Sequence, residues 1–165
     1  MTIIAAGYRD RTDFTDETGE VAPHPLSKIA RMMFLADVVD LATEPSRALD
    51  AWIATEIFPS LLGFRAAGPG IWIDDDGGRV RALLYSSSLS AATTLVPEQY
   101  WIERPAGGAS IEVHGPDPNI VGFGENTHMP LAASAAALRA RTRLALARHR
   151  EEGRIHSKIF EVEAR

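Results

Sequence analysis

The segment Ile71-Trp72-Ile73, Asp74-Asp75-Asp76-Gly77-Gly78 and Val80 to Tyr85 constrains the fold more than any other stretch of the chain. β-branched and aromatic residues flank a run in which Asp-Gly-Gly supplies the positive φ angles of a tight turn, so the pattern predicts a strand, a turn and a strand. Further alternating segments follow. Thr93–Val96 reads as a short strand, Gln99–Glu103 and Ser110–His114 are separated by Pro105-Ala106-Gly107-Gly108, and Asn119–Phe123 follows a Pro116-Asp117-Pro118 turn. The middle of the chain is therefore expected to be an antiparallel meander.

Helical patterns lie on both sides of it. From Leu26 to Ala42 the apolar residues fall on most sides of a helical wheel, which fits a largely buried helix; a strand over Arg31–Val38 is the competing reading. Thr43 is expected to cap a second helix with Glu44 and Pro45 in its first turn, and Leu49, Trp52, Ile53, Ile57 and Leu61 recur at spacings of three and four. Pro59 weakens the end of that helix and Gly63 closes it. The last helix is expected to open at Pro130 and stop before Gly153, with a strand over Lys158–Val162 returning to the sheet.

These elements give an α+β architecture of two N-terminal helices, one antiparallel sheet of four to six strands, a long C-terminal helix packed on the sheet and a final edge strand. With 165 residues, 45% of them hydrophobic, the chain suits a single domain over 26–165. Residues 1–25 carry Asp10, Asp13, Asp16, Glu17 and Glu20 with no helical or strand period, and read as a polar arm that lies over its own domain or clamps a neighbouring subunit.

Residues 1–130 hold 9 Lys+Arg against 18 Asp+Glu, and residues 131–165 hold 8 against 4, so an acidic body of net −9 is followed by a basic end of net +4. An overall charge of −5 argues against a nucleic-acid partner. Cysteine is absent, which removes thiolate metal sites and cysteine nucleophiles. No apolar run reaches the ~18 residues of a membrane span. The opening residues turn polar early and lack a basic stretch, so a cytoplasmic protein is expected.

The densest acid–base groups are Glu112 and His114, with Glu125 and His128 nearby in sequence. In a strand Glu112 and His114 share one face while Ile111 and Val113 take the other, so a carboxylate stands beside an imidazole. Such a pair can orient a general base, or hold a metal with help from Glu125 or His128; equally, it decorates the wet face of an antiparallel sheet. Catalysis, if present, is expected at Glu112, His114 and His128, and no cofactor or resident metal is expected.

Other motifs carry less. Asp74-Asp75-Asp76 lacks the distributed oxygens of a calcium loop, and Gly122-Phe123-Gly124 meets Thr127 where a dinucleotide motif needs its third glycine. Ser86, Ser87, Ser88 and Ser90 lack a nucleophile-elbow context. In the last helix Arg139, Arg143 and Arg150 gather on one side, Arg141 and Arg148 on another, with Leu131, Ala135, Leu138 and Ala145 between them. The arginines either snorkel at the edges of a packed helix or form an interaction surface.

Leu49 to Tyr85, a helix ending Leu62-Gly63-Phe64 and followed by a hairpin, resembles the first module of glyoxalase/bleomycin-resistance proteins. That resemblance implies a metal histidine in a first strand, where this chain has Ile29 to Arg31 and no ligand, so no family is assigned from it. Two function classes are expected. The first is a non-catalytic interaction or assembly protein, such as a subunit of a larger complex, a phage structural component or a toxin-neutralising partner, acting through a protein partner or as a homo-oligomer. The second is a small-molecule enzyme or ligand-binding domain using the Glu/His cluster of residues 112–128.

Overall fold

The computed structural model describes residues 25–163 except positions 107 and 120, so the expected arm lies outside the described residues apart from Pro25. The chain runs α1 (Pro25–Asp40), α2 (Arg47–Ile57), a 3₁₀ turn (Pro59–Gly63), β1 (Arg65–Gly68), β2 (Ile71–Ile73), β3 (Arg79–Arg81), α3 (Leu89–Thr93), β4 (Trp101–Glu103), β5 (Ser110–His114), β6 (Gly122–Glu125) and α4 (Met129–Glu163). The class is α+β, as the pattern implies. The strands form two three-stranded antiparallel sheets, β1-β2-β3 and β4-β5-β6, rather than the single sheet expected.

The split follows from α3. Ser88 caps this short helix by accepting the Ala91 N–H at 3.3 Å, so the stretch expected to be a strand at Thr93–Val96 leaves the first meander and packs on α4 instead. Strand β1 has no apolar alternation to betray it, being four exposed residues, Arg-Ala-Ala-Gly, on a sheet edge. The hairpin forms where expected, with Trp72 opposite Val80. Gly77 has φ +82, while Gly78 is required for space, because a Cβ there would collide with the Asp74 carboxylate that accepts the Asp76 and Gly78 N–H groups.

Three helices differ from expectation, two in a boundary and one in the side it buries. Ser46, not Thr43, caps α2 by accepting the Leu49 N–H at 3.2 Å, because the residue before Pro45 is biased to extended backbone and the helix starts beyond the proline. α1 is a helix throughout, but buries only the Met32, Leu35, Ala36 and Val39 side and leaves Phe34 exposed. α4 passes through Gly153 to Glu163, so the expected strand at Lys158–Val162 is helix. An interior glycine costs a helix about 0.5–1 kcal/mol without ending it, and positions 155, 159 and 162 repeat at helical spacing.

The first turns of α4 are the axis of the core. Leu131, Ala135 and Leu138 pack into a cluster with Met32, Leu35, Val39, Ile53, Trp72 and Leu95, while Ala132, Ala133, Ala136 and Ala140 pack with Ala92, Ile111 and Val113. This half of α4 is therefore buried on all sides, not along a narrow strip. On the sheet side the contact is unusually close. A Cβ at Gly122 would fall closer than 3.0 Å to the Ala136 carbonyl oxygen, and one at Gly124 equally close to that of Ala132.

Overpacking a close-fitted core costs about 1–3 kcal/mol. Here the obstacle is backbone, so Gly124→Ala is expected at or above the upper end of that range. Gly63, whose Cβ would meet nothing within 4 Å, is the control. Urea unfolding of the two alanine variants should show a large loss for Gly124→Ala and little change for Gly63→Ala.

Candidate functional site

The outer face of the second sheet gathers three of the expected acid–base side chains, Glu112, His114 and Glu125. On β5 the apolar Ile111 and Val113 turn to α4, which leaves Ser110, Glu112 and His114 on the other side. Register does the rest: Trp101 lies opposite His114, Glu103 opposite Glu112, Phe123 beyond Glu112, and Glu125 opposite Ser110. His114 Nε2 is 2.8 Å from Glu112 Oε2 and 3.8 Å from Glu103 Oε2, and its ring stacks on Trp101 with centroids 6.2 Å apart. Trp101 Nε1 donates to Glu103 Oε1 at 2.8 Å. The face is open, with Trp101 49% and Phe123 42% exposed.

The expected Glu112–His114 pair is thus formed. Glu103 and Trp101 join it, a partnership the sequence hides because it depends on the register of β4. Glu125 shares the face, two residues beyond Phe123 on β6. His128 is not hydrogen-bonded to the pair: it is exposed on the turn before α4, where its N–H donates to Asn126 Oδ1 and its carbonyl accepts the Leu131 and Ala132 N–H groups. Among the described residues, no group of three or more His, Asp or Glu is placed to hold a metal ion.

The three arginines expected on an interaction surface have different environments. Arg139 is only 17% exposed and is used inside the fold, donating to Asp37 Oδ1 at 2.6 Å, Asp40 Oδ2 at 2.8 Å and the Phe123 carbonyl at 2.6 Å. Burial alone would lower its pKa, but the bonds to both aspartates outweigh this and hold it raised. Arg143 donates to the Val121 carbonyl. Arg150 is exposed and, with Arg143, Leu146, Ala147 and Arg154, lines an open groove of about 470 Å³ against Asp117 and Asn119.

A second polar cluster is internal. Buried Asp50 accepts from Arg47 at 2.9 Å and from both the N–H and the hydroxyl of Ser86 at 2.7 Å, while Arg47 also donates to the Gly70 and Ala82 carbonyls. These bonds tie α2 to the segment after β3, and place Ser86 in the core rather than at a reactive surface. Beside it, burial raises the Tyr85 hydroxyl pKa, helped by the charge of Asp50 and opposed by Arg141.

No family model, no curated protein and no solved structure matches the chain. Among the described residues, no helix is long and apolar enough to cross a membrane.

Two outcomes test these networks. Arg139→Met should cost about 2–4 kcal/mol, somewhat below the ~3–5 kcal/mol of a fully buried pair because Asp37 is half exposed; Asp37→Asn should cost under about 1 kcal/mol. Denaturant titration of both variants reads this. For Tyr85, a raised folded-state pKa means that its stability contribution is complete below the unfolded value of about 10 and is lost as pH rises through the folded value, because only the unfolded state then releases the proton readily. Melting temperature should fall on the alkaline side of about pH 10, and Tyr85→Phe should make that fall shallower.

Proposed function

We propose that this protein acts by binding another protein chain, as a subunit of an assembly, and that the outer face of the second sheet is its principal contact. The observation that carries this reading is the combination on one open face of two exposed aromatic rings, Trp101 and Phe123, with the carboxylates Glu103, Glu112 and Glu125. Aromatic rings supply anchors that gain from burial, and a carboxylate field selects a cationic partner and speeds its approach. A second exposed pair, Phe34 and Trp52, has ring centroids 6.0 Å apart across α1 and α2. A cytoplasmic setting and a protein rather than a nucleic acid as partner go with this reading, given the net charge of −5.

One observation favours the alternative, a small-molecule enzyme or ligand-binding domain. The 2.8 Å contact between Glu112 and His114 would orient the imidazole as a general base, with His128 recruited only by movement of the turn before α4.

Sedimentation velocity over a wide concentration range, at salt concentrations giving Debye lengths of about 30 Å and about 3 Å, separates the readings. Association that weakens at high salt is expected. A monomer under all conditions, together with no protein partner retained from the native source, would reject the assembly reading; loss of a bound small molecule in His114→Ala with association unchanged would favour the alternative.

A further inference from the structure

The outward positions of β4, β5 and β6 are Trp101, Glu103, Ser110, Glu112, His114, Phe123 and Glu125, so the three strands place carboxylates on this face and no lysine or arginine. Glu103 and Glu112 stand directly opposite each other, an arrangement that destabilises a sheet unless a positive charge lies between them. His114 Nε2 reaches both, 2.8 Å from Glu112 and 3.8 Å from Glu103, and is the one side chain at these outward positions able to carry a positive charge. Three carboxylates share that single imidazole.

The same chain carries an exposed set of cations elsewhere. Past the buried half of α4, positions 143, 147, 150 and 154 fall on one side of the helix, giving Arg143, Ala147, Arg150 and Arg154. Arg154 is tied to Glu151, and Arg150 has no ion pair among the described residues. Arg143 and Arg150 are separated by about 10.5 Å along the helix axis at ~1.5 Å per residue. β4 and β6 are separated by about 10 Å, two strand spacings of ~4.8 Å. Glu103, Glu112 and Phe123 form the row straight across the strands, and Glu125 lies two residues, about 7 Å, further along β6, so Glu103 and Glu125 are about 12 Å apart on a diagonal. A helix crossing obliquely along that diagonal brings one arginine to Glu103 and the other within side-chain reach of Glu125, with small Ala147 above the central strand where close approach is needed.

The helix cannot do this to its own sheet. Its first turns are packed against the inner face through Gly122 and Gly124, and a continuous helix carries residues 143–154 away from the outer one. We propose that the outer face of β4-β5-β6 receives the Arg143–Arg154 stretch of α4 from a second copy of the chain. Each copy presents both surfaces, so a twofold arrangement makes the contact twice and closes. Doubling matters because a three-stranded face is small against the ~800 Å² per partner of a stable interface. The inference rests on the assembly reading and names the partner as the chain itself.

Charge exchange between the two surfaces tests it. Glu103→Lys with Glu125→Lys makes a face variant, and Arg143→Glu with Arg150→Glu makes a helix variant; Arg150→Glu alone is the fallback if loss of the Arg143 bond to Val121 unfolds the protein. Each variant alone should weaken self-association about tenfold or more. Mixed in equal amounts they should recover the wild-type dimer, since the lysine face then meets the glutamate helix and the unchanged glutamate face meets the unchanged arginine helix. Recovery only in the mixture, seen by sedimentation velocity, supports the proposal. A dimer indifferent to both variants, or a mixture that stays monomeric, overturns it while leaving assembly through another surface intact. A wild-type monomer at every concentration overturns it too, and the assembly reading then stands or falls on recovery of a different partner.

Discussion

The approach of β6 to α4 governs the arrangement of everything around it. With glycine at 122 and 124 the strand lies against the helix backbone at Ala132 and Ala136, closer than any side chain would allow. Alanines at 132, 136 and 140 are the counterpart on the helix, presenting a flat surface at successive turns. Once this contact is made, β5 brings Ile111 and Val113 into the same layer through its pairing with β6. The opposite side of α4 is left to larger residues, Leu131 and Leu138, which pack against Leu35, Val39 and Ile53. A helix clad mostly in alanine can thus be buried on all sides because its neighbours come to it.

Electrostatics lock the same junction from outside the apolar layer. α1 ends with Asp37 and Asp40 in its last turn, where negative charge opposes the helix dipole. Arg139 reaches both carboxylates and the Phe123 carbonyl, joining α1, β6 and α4 through one guanidinium. Asp40 then accepts the Glu125 N–H at 2.7 Å, and Asn126 donates to the Asp40 and Ala42 carbonyls. A planar fork suits this task better than an ammonium would. The cost of two acids at a helix C-terminus is offset by Arg139, which pairs with both, and by the Glu125 N–H that Asp40 accepts.

What the sequence revealed depended on whether the deciding interaction was local. The Asp74–Gly78 turn, the extent of β5 and the helical nature of α2 rest on nearby residues, and each is visible in spacing and turn chemistry. β1 is exposed and weakly patterned, so only its pairing with β2 makes it a strand. Periodicity places Arg139 beside Arg143 on the helix surface but is silent on what lies against that surface, and α1 turned out to lie there. The Glu112–His114 pair was legible because its partners are two residues apart on one strand; Glu103 was not, because its place opposite Glu112 follows from a register set by the loop between β4 and β5.

The glycine contact also explains why the candidate site lies where it does. A strand held flush against a helix has no room for chemistry on its inner side, so in β6 and its neighbours every ionisable or aromatic residue must take the alternate positions and face outward. Packing of this kind also makes the sheet a firm backing, since moving β6 outward would open the alanine layer and moving it inward is blocked by the helix carbonyls. A rigid, unevenly charged face with two aromatic anchors loses little conformational freedom when it is covered. Inner crowding and outward exposure of the polar and aromatic side chains are therefore two sides of one constraint, and replacing Gly122 or Gly124 would disturb the outer face without altering any side chain on it.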